Sequence, residues 1–208
     1  MPLPRSRTVA IAAIAAVVAA TCVALGLWQL RRLDERRMSN ARIVRAGAEP
    51  AVVITSASGA DAAHAYRRVH AAGTYDTSHE VIVYGRSLGG APGHHVVTPL
   101  VLDDGSAVLV LRGWVPFGLQ EPPIGRANPP TTGVAIEGTL VPDEGDGQMM
   151  PDARGVIRRL DVRGIAAMLP YEVFPLAIQL ERQTPPQEGL PRPIPDPELS
   201  EGPHLSYA

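Results

Sequence analysis

Three stretches of this chain carry residue types that could do chemistry. Gly85-Arg86-Ser87-Leu88-Gly89 fits the G-x-S-x-G pattern, in which a serine on a sharp strand-to-helix turn acts as a nucleophile. A helix must follow that serine at once, and Gly89-Gly90-Ala91-Pro92-Gly93 is a poor helix start. A membrane-anchored hydrolase using Ser87 is therefore a remote alternative, and a flexible glycine loop is the expected structure. The loop also lacks the Gly-Lys-Ser/Thr of a phosphate cradle. His94-His95 suggests a metal, but adjacent strand residues point to opposite faces and do not easily chelate one ion. One histidine is expected inside and one outside. His64, His70 and His79 lack metal-ligand spacing, and Asp143, Glu144, Asp146 and Asp152 do not fit a calcium loop. No catalytic residue and no metal site is assigned.

Two arginine clusters are candidates for a partner surface. In Arg112-Gly113-Trp114 a guanidinium can lie over an indole face. The favoured structural reading is that Gly113 permits a bend and Trp114 plugs one end of a barrel. Arg158-Arg159, just before Asp161, can bind a carboxylate or lipid phosphate, or form ordinary surface ion pairs. His204 lies in the closing Gly202-Pro203-His204-Leu205-Ser206-Tyr207-Ala208 and by itself reads as a tail histidine.

The elements that must position these residues are mostly strands. Short β-branched runs occupy 51–55, 67–72, 80–86, 96–102, 107–111, 134–141 and 174–180, separated by turn residues. Asp104-Gly105 between the fourth and fifth favours a tight hairpin, and the fifth run stops at Arg112. Pro99 lacks a ladder donor and marks an edge or bulge. Asp161 caps one short helix over 162–169, which Pro170 ends. The expected fold is a membrane-anchored, mainly β (α+β) protein: an antiparallel sandwich or partly open barrel with one short helix. The proline-rich stretch 184–208 is expected to be extended, partly polyproline and poorly packed.

Ahead of the strands, Thr8 to Leu30 is free of charge and long enough to span a bilayer. It exceeds a signal-peptide core, and no convincing cleavage site follows. Thr21 is a poor residue before a lipidated cysteine, so Cys22 reads as part of a retained span. Residues 31–46 extend that helix, and the β-rich domain covers 47–183. Cys22 is the only cysteine, which excludes an internal disulfide and a paired-thiol copper carrier. The net charge of −2 gives no basis for nucleic-acid binding. All 19 basic residues are arginine. Six of them follow the span between Arg31 and Arg45, against Arg5 and Arg7 before it, which by charge alone places the domain in the cytoplasm.

Taken in order, several blocks resemble the surfeit locus protein 1 family, assembly factors for cytochrome c oxidase. They are Leu25-Gly26-Leu27-Trp28-Gln29-Leu30-x-Arg32; Tyr66-x-Arg68-Val69 with Gly73 and Tyr75; Gly93-x-His95-Val96-Val97-Thr98-Pro99-Leu100; and Arg112-Gly113-Trp114-Val115-Pro116. Glu137-Gly138-x-Leu140-x-Pro142, Arg159-x-Asp161 and His204-x-x-Tyr207 follow.

The resemblance implies a non-enzymatic protein of the bacterial inner membrane whose β-rich domain is extracytoplasmic, against the arginine count. It implies a role in haem a insertion into the oxidase catalytic subunit, or in stabilising that subunit. The implied partners are the membrane, that subunit and haem a synthase. The family's proposed haem a ligand falls on His204, and a neutral imidazole is a suitable axial ligand. The family's second membrane helix would begin after Tyr207, so 184–208 is read as a linker to a helix missing from this chain. A stable accessory subunit of a respiratory complex is the alternative.

Overall fold

The computed structural model describes residues 5–57 and 64–195, with side chains from Ile14 onward. The first element is one unbroken helix, α1, Arg5–Ala48. The expected span and its polar extension are thus a single rod of 44 residues, about 66 Å at 1.5 Å per residue. Its Ile14–Ala48 part is long and apolar enough to cross a membrane. The chain divides near Arg42, and Ile43–Pro197 forms a compact unit of its own.

That unit is an eight-stranded sheet with one short helix. Its elements are β1 (Val52–Ile54), β2 (Arg68–Tyr75), β3 (Val81–Leu88), β4 (Ala91–Val101), β5 (Ala107–Pro116), β6 (Val134–Val141), β7 (Val156–Ile157), α2 (Val162–Ala166) and β8 (Val173–Thr184). The strand order is β1-β2-β6-β8-β5-β4-β3-β7. Most pairs are antiparallel, as expected; β1–β2, β3–β7 and β5–β8 are parallel. The sheet curls until Thr74 and Tyr75 of β2 meet Val101 and Leu100 of β4. Two residue pairs make a short seam, so the barrel is partly open. Gly73 permits that approach: a Cβ there would lie 2.1 Å from the Val101 carbonyl oxygen.

β5 is buried along its length except at Pro116. Strand alternation explains how one strand serves two cores. Val108 and Val110 face a core with Val69, Leu100, Ile136 and Ile178. Leu109 and Leu111 face another, with Val83, Leu160 and Ile165, which α2 and β7 cover. A strand covered on both faces reads as a continuous apolar run, which is why 107–111 lacks a polar alternation.

The β4–β5 turn is as expected: Gly105 has φ 84°, and Asp104 Oδ1 accepts from the Ser106 amide at 2.9 Å. The far end of β5 differs from expectation. The strand does not stop at Arg112. Val97 faces Leu111 and Val96 faces Gly113, so Arg112 is the extra residue of a β-bulge. Pro99 sits elsewhere, in the gap between the pairing of β4 with β3, which ends at Val97, and its pairing with β2, which begins at Leu100.

The start of the proline-rich stretch is also packed rather than loose. Arg192 forms an isolated antiparallel bridge with Trp114, with N···O distances of 2.7 and 2.8 Å. Leu190 and Ile194 rest on the cores. Prolines flanking Arg192 lack donors, but Arg192 supplies both an N–H and a C=O, enough for one bridge. This strap over 185–194 carries the packed unit beyond residue 183.

Gly93 is under the tightest constraint at the bulge end. A Cβ there would lie 2.2 Å from the Val115 oxygen and 2.4 Å from the Trp114 indole, whereas one at Gly118 meets nothing within 4 Å. Gly93→Ala is expected to destabilise the domain by about 3 kcal/mol, the upper range of overpacking. Gly118→Ala should leave the melting temperature nearly unchanged. Equal melting temperatures for the two variants would refute this packing.

Candidate functional site

The bulge turns Arg112 into the interior, where its side chain is fully buried. Its Nη1 donates to Glu80 Oε2 at 3.0 Å and to Thr98 Oγ1 at 3.3 Å. Its Nη2 donates to the Ala127 carbonyl and to Gln187 Oε1, each at 2.6 Å. The guanidinium carbon lies 5.2 Å from the Tyr75 ring centre, a cation–π distance. Glu80 Oε2 also accepts from Thr98 Oγ1 at 3.0 Å, and Glu80 Oε1 accepts from the Ile124 amide at 2.7 Å. One ion pair thus ties together β2, β4, β5, the residue preceding β3, the 124–127 turn and the strap. Of the three Arg112 guanidinium nitrogens, Nε is the one without a partner among the described residues.

Burial raises the Glu80 carboxyl above its ordinary range, opposed by the Ile124 amide and Arg112. Burial likewise lowers Arg112, opposed by Glu80. Desolvation leads at both partners, so each charge depends on the other being present.

Arg112 and Trp114 were expected as candidates for a partner surface. At 2% and 3% exposure both are interior, because the bulge and the strap enclose them. The architectural reading of Trp114 is the one the packing supports. Its Nε1 donates to the Arg86 carbonyl at 3.3 Å, and Arg192 lies over its ring at 5.8 Å. Arg158 and Arg159 are exposed and sit on the turn between β7 and α2, on different elements from Arg112. His204 lies outside the described residues.

Ser87 lies within β3, one residue before its end, and a Gly89-Gly90 turn, not a helix, follows. The nucleophile-elbow geometry is therefore missing there. His94 is fully buried and His95 partly so, near the expected division. His94 Nε2 lies 3.2 Å from the Phe117 carbonyl, and Nδ1 lies 3.4 Å from the Gly85 amide, so both nitrogens are engaged. Burial, with Arg86 adding to it, holds His95 down at about 4. Among the described residues no group of three His, Cys, Asp or Glu is placed to hold a metal.

The acidic loop is structural. Asp161 is fully buried, caps α2 through the Gly164 amide at 2.7 Å, and accepts from the Gly147 and Met149 amides at 3.0 and 3.1 Å. Glu144 pairs with Arg86. A further cluster joins the turn after β2 to the turn before β8. Asp76 accepts from the Ser78 amide, from Tyr171 Oη at 2.9 Å, and pairs with His79 Nδ1 at 2.6 Å.

Glu80, Thr98, Tyr75 and Gln187 were not picked out from the sequence as site residues. The available signal was a carboxylate and a hydroxyl set within apolar strand runs, where a polar group needs a buried partner.

Two outcomes follow. Arg112→Met is expected to cost about 3–5 kcal/mol, since it strands a buried carboxylate, and adding Glu80→Leu should recover part of the loss. Denaturant midpoints read this, and an additive double variant would refute the pairing. Burial opposes ionisation of Asp76, but hydrogen bonds from Ser78, His79 and Tyr171 outweigh it and lower its carboxyl from 3.8 to about 2. A depressed folded-state value contributes stability above pH 3.8 that is lost as the pH falls towards 2. Asp76→Asn should therefore lower stability at neutral pH and flatten the acid limb of the stability curve over that window; an unchanged acid limb would count against it.

A known family of sequences matches this chain over most of its length. The sequence model of the SURF1 family matches residues 16–208. A SURF1-like protein of Rickettsia felis (strain ATCC VR-1525 / URRWXCal2) is 29% identical over 94 residues, covering 44% of this chain and 40% of that protein. One from Rickettsia bellii (strain RML369-C) is 30% identical over 94 residues, covering 44% and 38%. A SURF1-like protein of Dictyostelium discoideum is 27% identical over 116 residues, covering 47% and 43%. The matched stretch thus spans about two fifths of each curated relative. With a family match running over about three quarters of α1 and the whole β domain, this chain belongs to the SURF1 family.

Proposed function

We propose that this protein is a membrane-anchored, non-enzymatic assembly factor for a haem–copper cytochrome c oxidase. It assists haem a insertion into the catalytic subunit, or stabilises that subunit while it is immature. The observation that carries this reading is the family match over residues 16–208. The apolar length of α1 supports a membrane anchor. Placing it in the bacterial inner membrane, with the β domain on the extracytoplasmic side, follows the family resemblance, against the arginine count. Haem a is cargo in this scheme. The ligand position lies at His204, outside the described residues, and His94 does not compete for it because both of its ring nitrogens are engaged. Transient partners are the oxidase catalytic subunit and haem a synthase. The β domain contributes a rigid body rather than reacting groups: the fully buried Arg112–Glu80 ion pair holds strands and strap together.

Deleting the gene should lower the haem a spectrum of the oxidase while leaving the catalytic subunit's messenger unchanged. Restoring the full chain should reverse the defect. Ser87→Ala should complement fully, and His204→Ala should not. Normal oxidase spectra in the deletion strain would overturn the assembly role. Stoichiometric co-purification with mature oxidase would instead favour an accessory subunit.

A further inference from the structure

One end of the β unit has an unusual surface. The β3–β4 hairpin and the segment after β5 meet there: Gly93 pairs with Pro116, Leu88 with Ala91, and the Phe117 amide donates to the Pro92 carbonyl at 3.3 Å. No Asp, Glu, Arg or Lys occurs from Ser87 to Leu102 or from Gly113 to Gln120. The one charge on the hairpin, Arg86, is paired with Glu144. Soluble surfaces carry interspersed charges over about a quarter to a third of their residues, and these two stretches carry none.

Two aromatic side chains project from this charge-poor end. Tyr84 is 40% exposed and Phe117 47%, with ring centres 5.9 Å apart. Both rest on the His94 imidazole, at 4.7 and 5.2 Å. That imidazole is buried, uses both nitrogens internally and is held towards its neutral form by burial, so the platform brings no charge to desolvate. The rings are ordered before any partner arrives, which removes an entropy cost of docking.

We infer that this tip docks on a lipid bilayer surface, with Tyr84 and Phe117 entering the headgroup–acyl boundary. Aromatic rings favour that boundary, and uncharged, glycine-rich backbone between them is compatible with it. A protein-binding hot spot would be expected to carry an unpaired arginine or a charged rim around the rings, whereas the charges beside this tip, Arg86 and Glu144, are paired with each other. The argument rests on the anchoring reading of α1, since a tether to the same membrane raises the effective concentration of a weak docking element.

Spin labelling of the full chain in phosphatidylethanolamine–phosphatidylglycerol nanodiscs separates the two claims. Cys22, labelled in the native sequence, reports the anchor. Ser87→Cys, in a Cys22→Ala background, reports the tip while keeping both rings, and Ala153→Cys reports an exposed turn elsewhere. The ratio of oxygen to nickel-chelate collision rates should be severalfold higher at residue 87 than at 153. Adding Tyr84→Ala and Phe117→Ala, both at exposed positions, should bring the residue 87 ratio down to that of residue 153. A lipid-like Cys22 with equal ratios at 87 and 153 overturns docking alone. Exclusion of both reagents at residue 87 overturns it in favour of a protein contact. A water-like Cys22 overturns the anchor, and docking with it.

Discussion

A single buried cation organises this domain. Arg112 enters the interior because one extra residue in β5 breaks the strand's two-residue alternation. A charge in that position must be matched on every side, and Glu80, Thr98, the Ala127 carbonyl, Gln187 and the Tyr75 ring supply the match. None of these groups is near Arg112 in sequence. Burying the guanidinium therefore requires the residue before β3, the 124–127 turn and the strap to arrive together. Breaking the pair by removing one partner leaves the other charge buried and unmatched, so the arrangement tolerates loss of both more readily than loss of one.

Close backbone approaches complete that arrangement. Gly73 lets β2 reach β4, Gly93 gives the Trp114 indole room to lie flat, and Gly113, at φ 150°, lets the strap carbonyl of Arg192 come close. Each is a place where a Cβ would meet main-chain atoms. Trp114 then bridges β5 to the strap through both its amide and its carbonyl. The strap is the last described part of the chain before residues 196–208, which include His204. The described end of the domain is thus fixed to the same bulge.

Much of this was legible in the chain itself. The charge-free run from Thr8, the β-branched runs, Asp104-Gly105 and the Asp161 cap mark local structure, because each depends on residues close in sequence. The hairpin, α2 and the long helix emerged as expected, although α2 is shorter and β4 and β5 longer than their apolar runs. The lack of a nucleophile elbow at Ser87 was also readable, since an elbow needs a helix that those residues cannot start. The expected glycine loop is instead paired strand on either side of a Gly89-Gly90 turn. The sequence favours Trp114 as a plug, as the packing shows, but the surface candidacy of Arg112 fails for a clear reason: an arginine after an apolar run reads as the run's end, and only its partners reveal a bulge.

The sequence by itself determined the membrane-length helix, the mainly β class and the family, through local periodicity and the order of short blocks. Tertiary structure decided what those blocks are for. It alone brought Glu80, Thr98 and Gln187 to Arg112, turned a proline-rich stretch into a packed strap, and gathered Tyr84, His94 and Phe117 at one charge-poor end. Those outcomes depend on contacts between residues far apart in the chain. A buried charge or a barrel seam is defined by what surrounds it, and no local pattern of residue types encodes its surroundings.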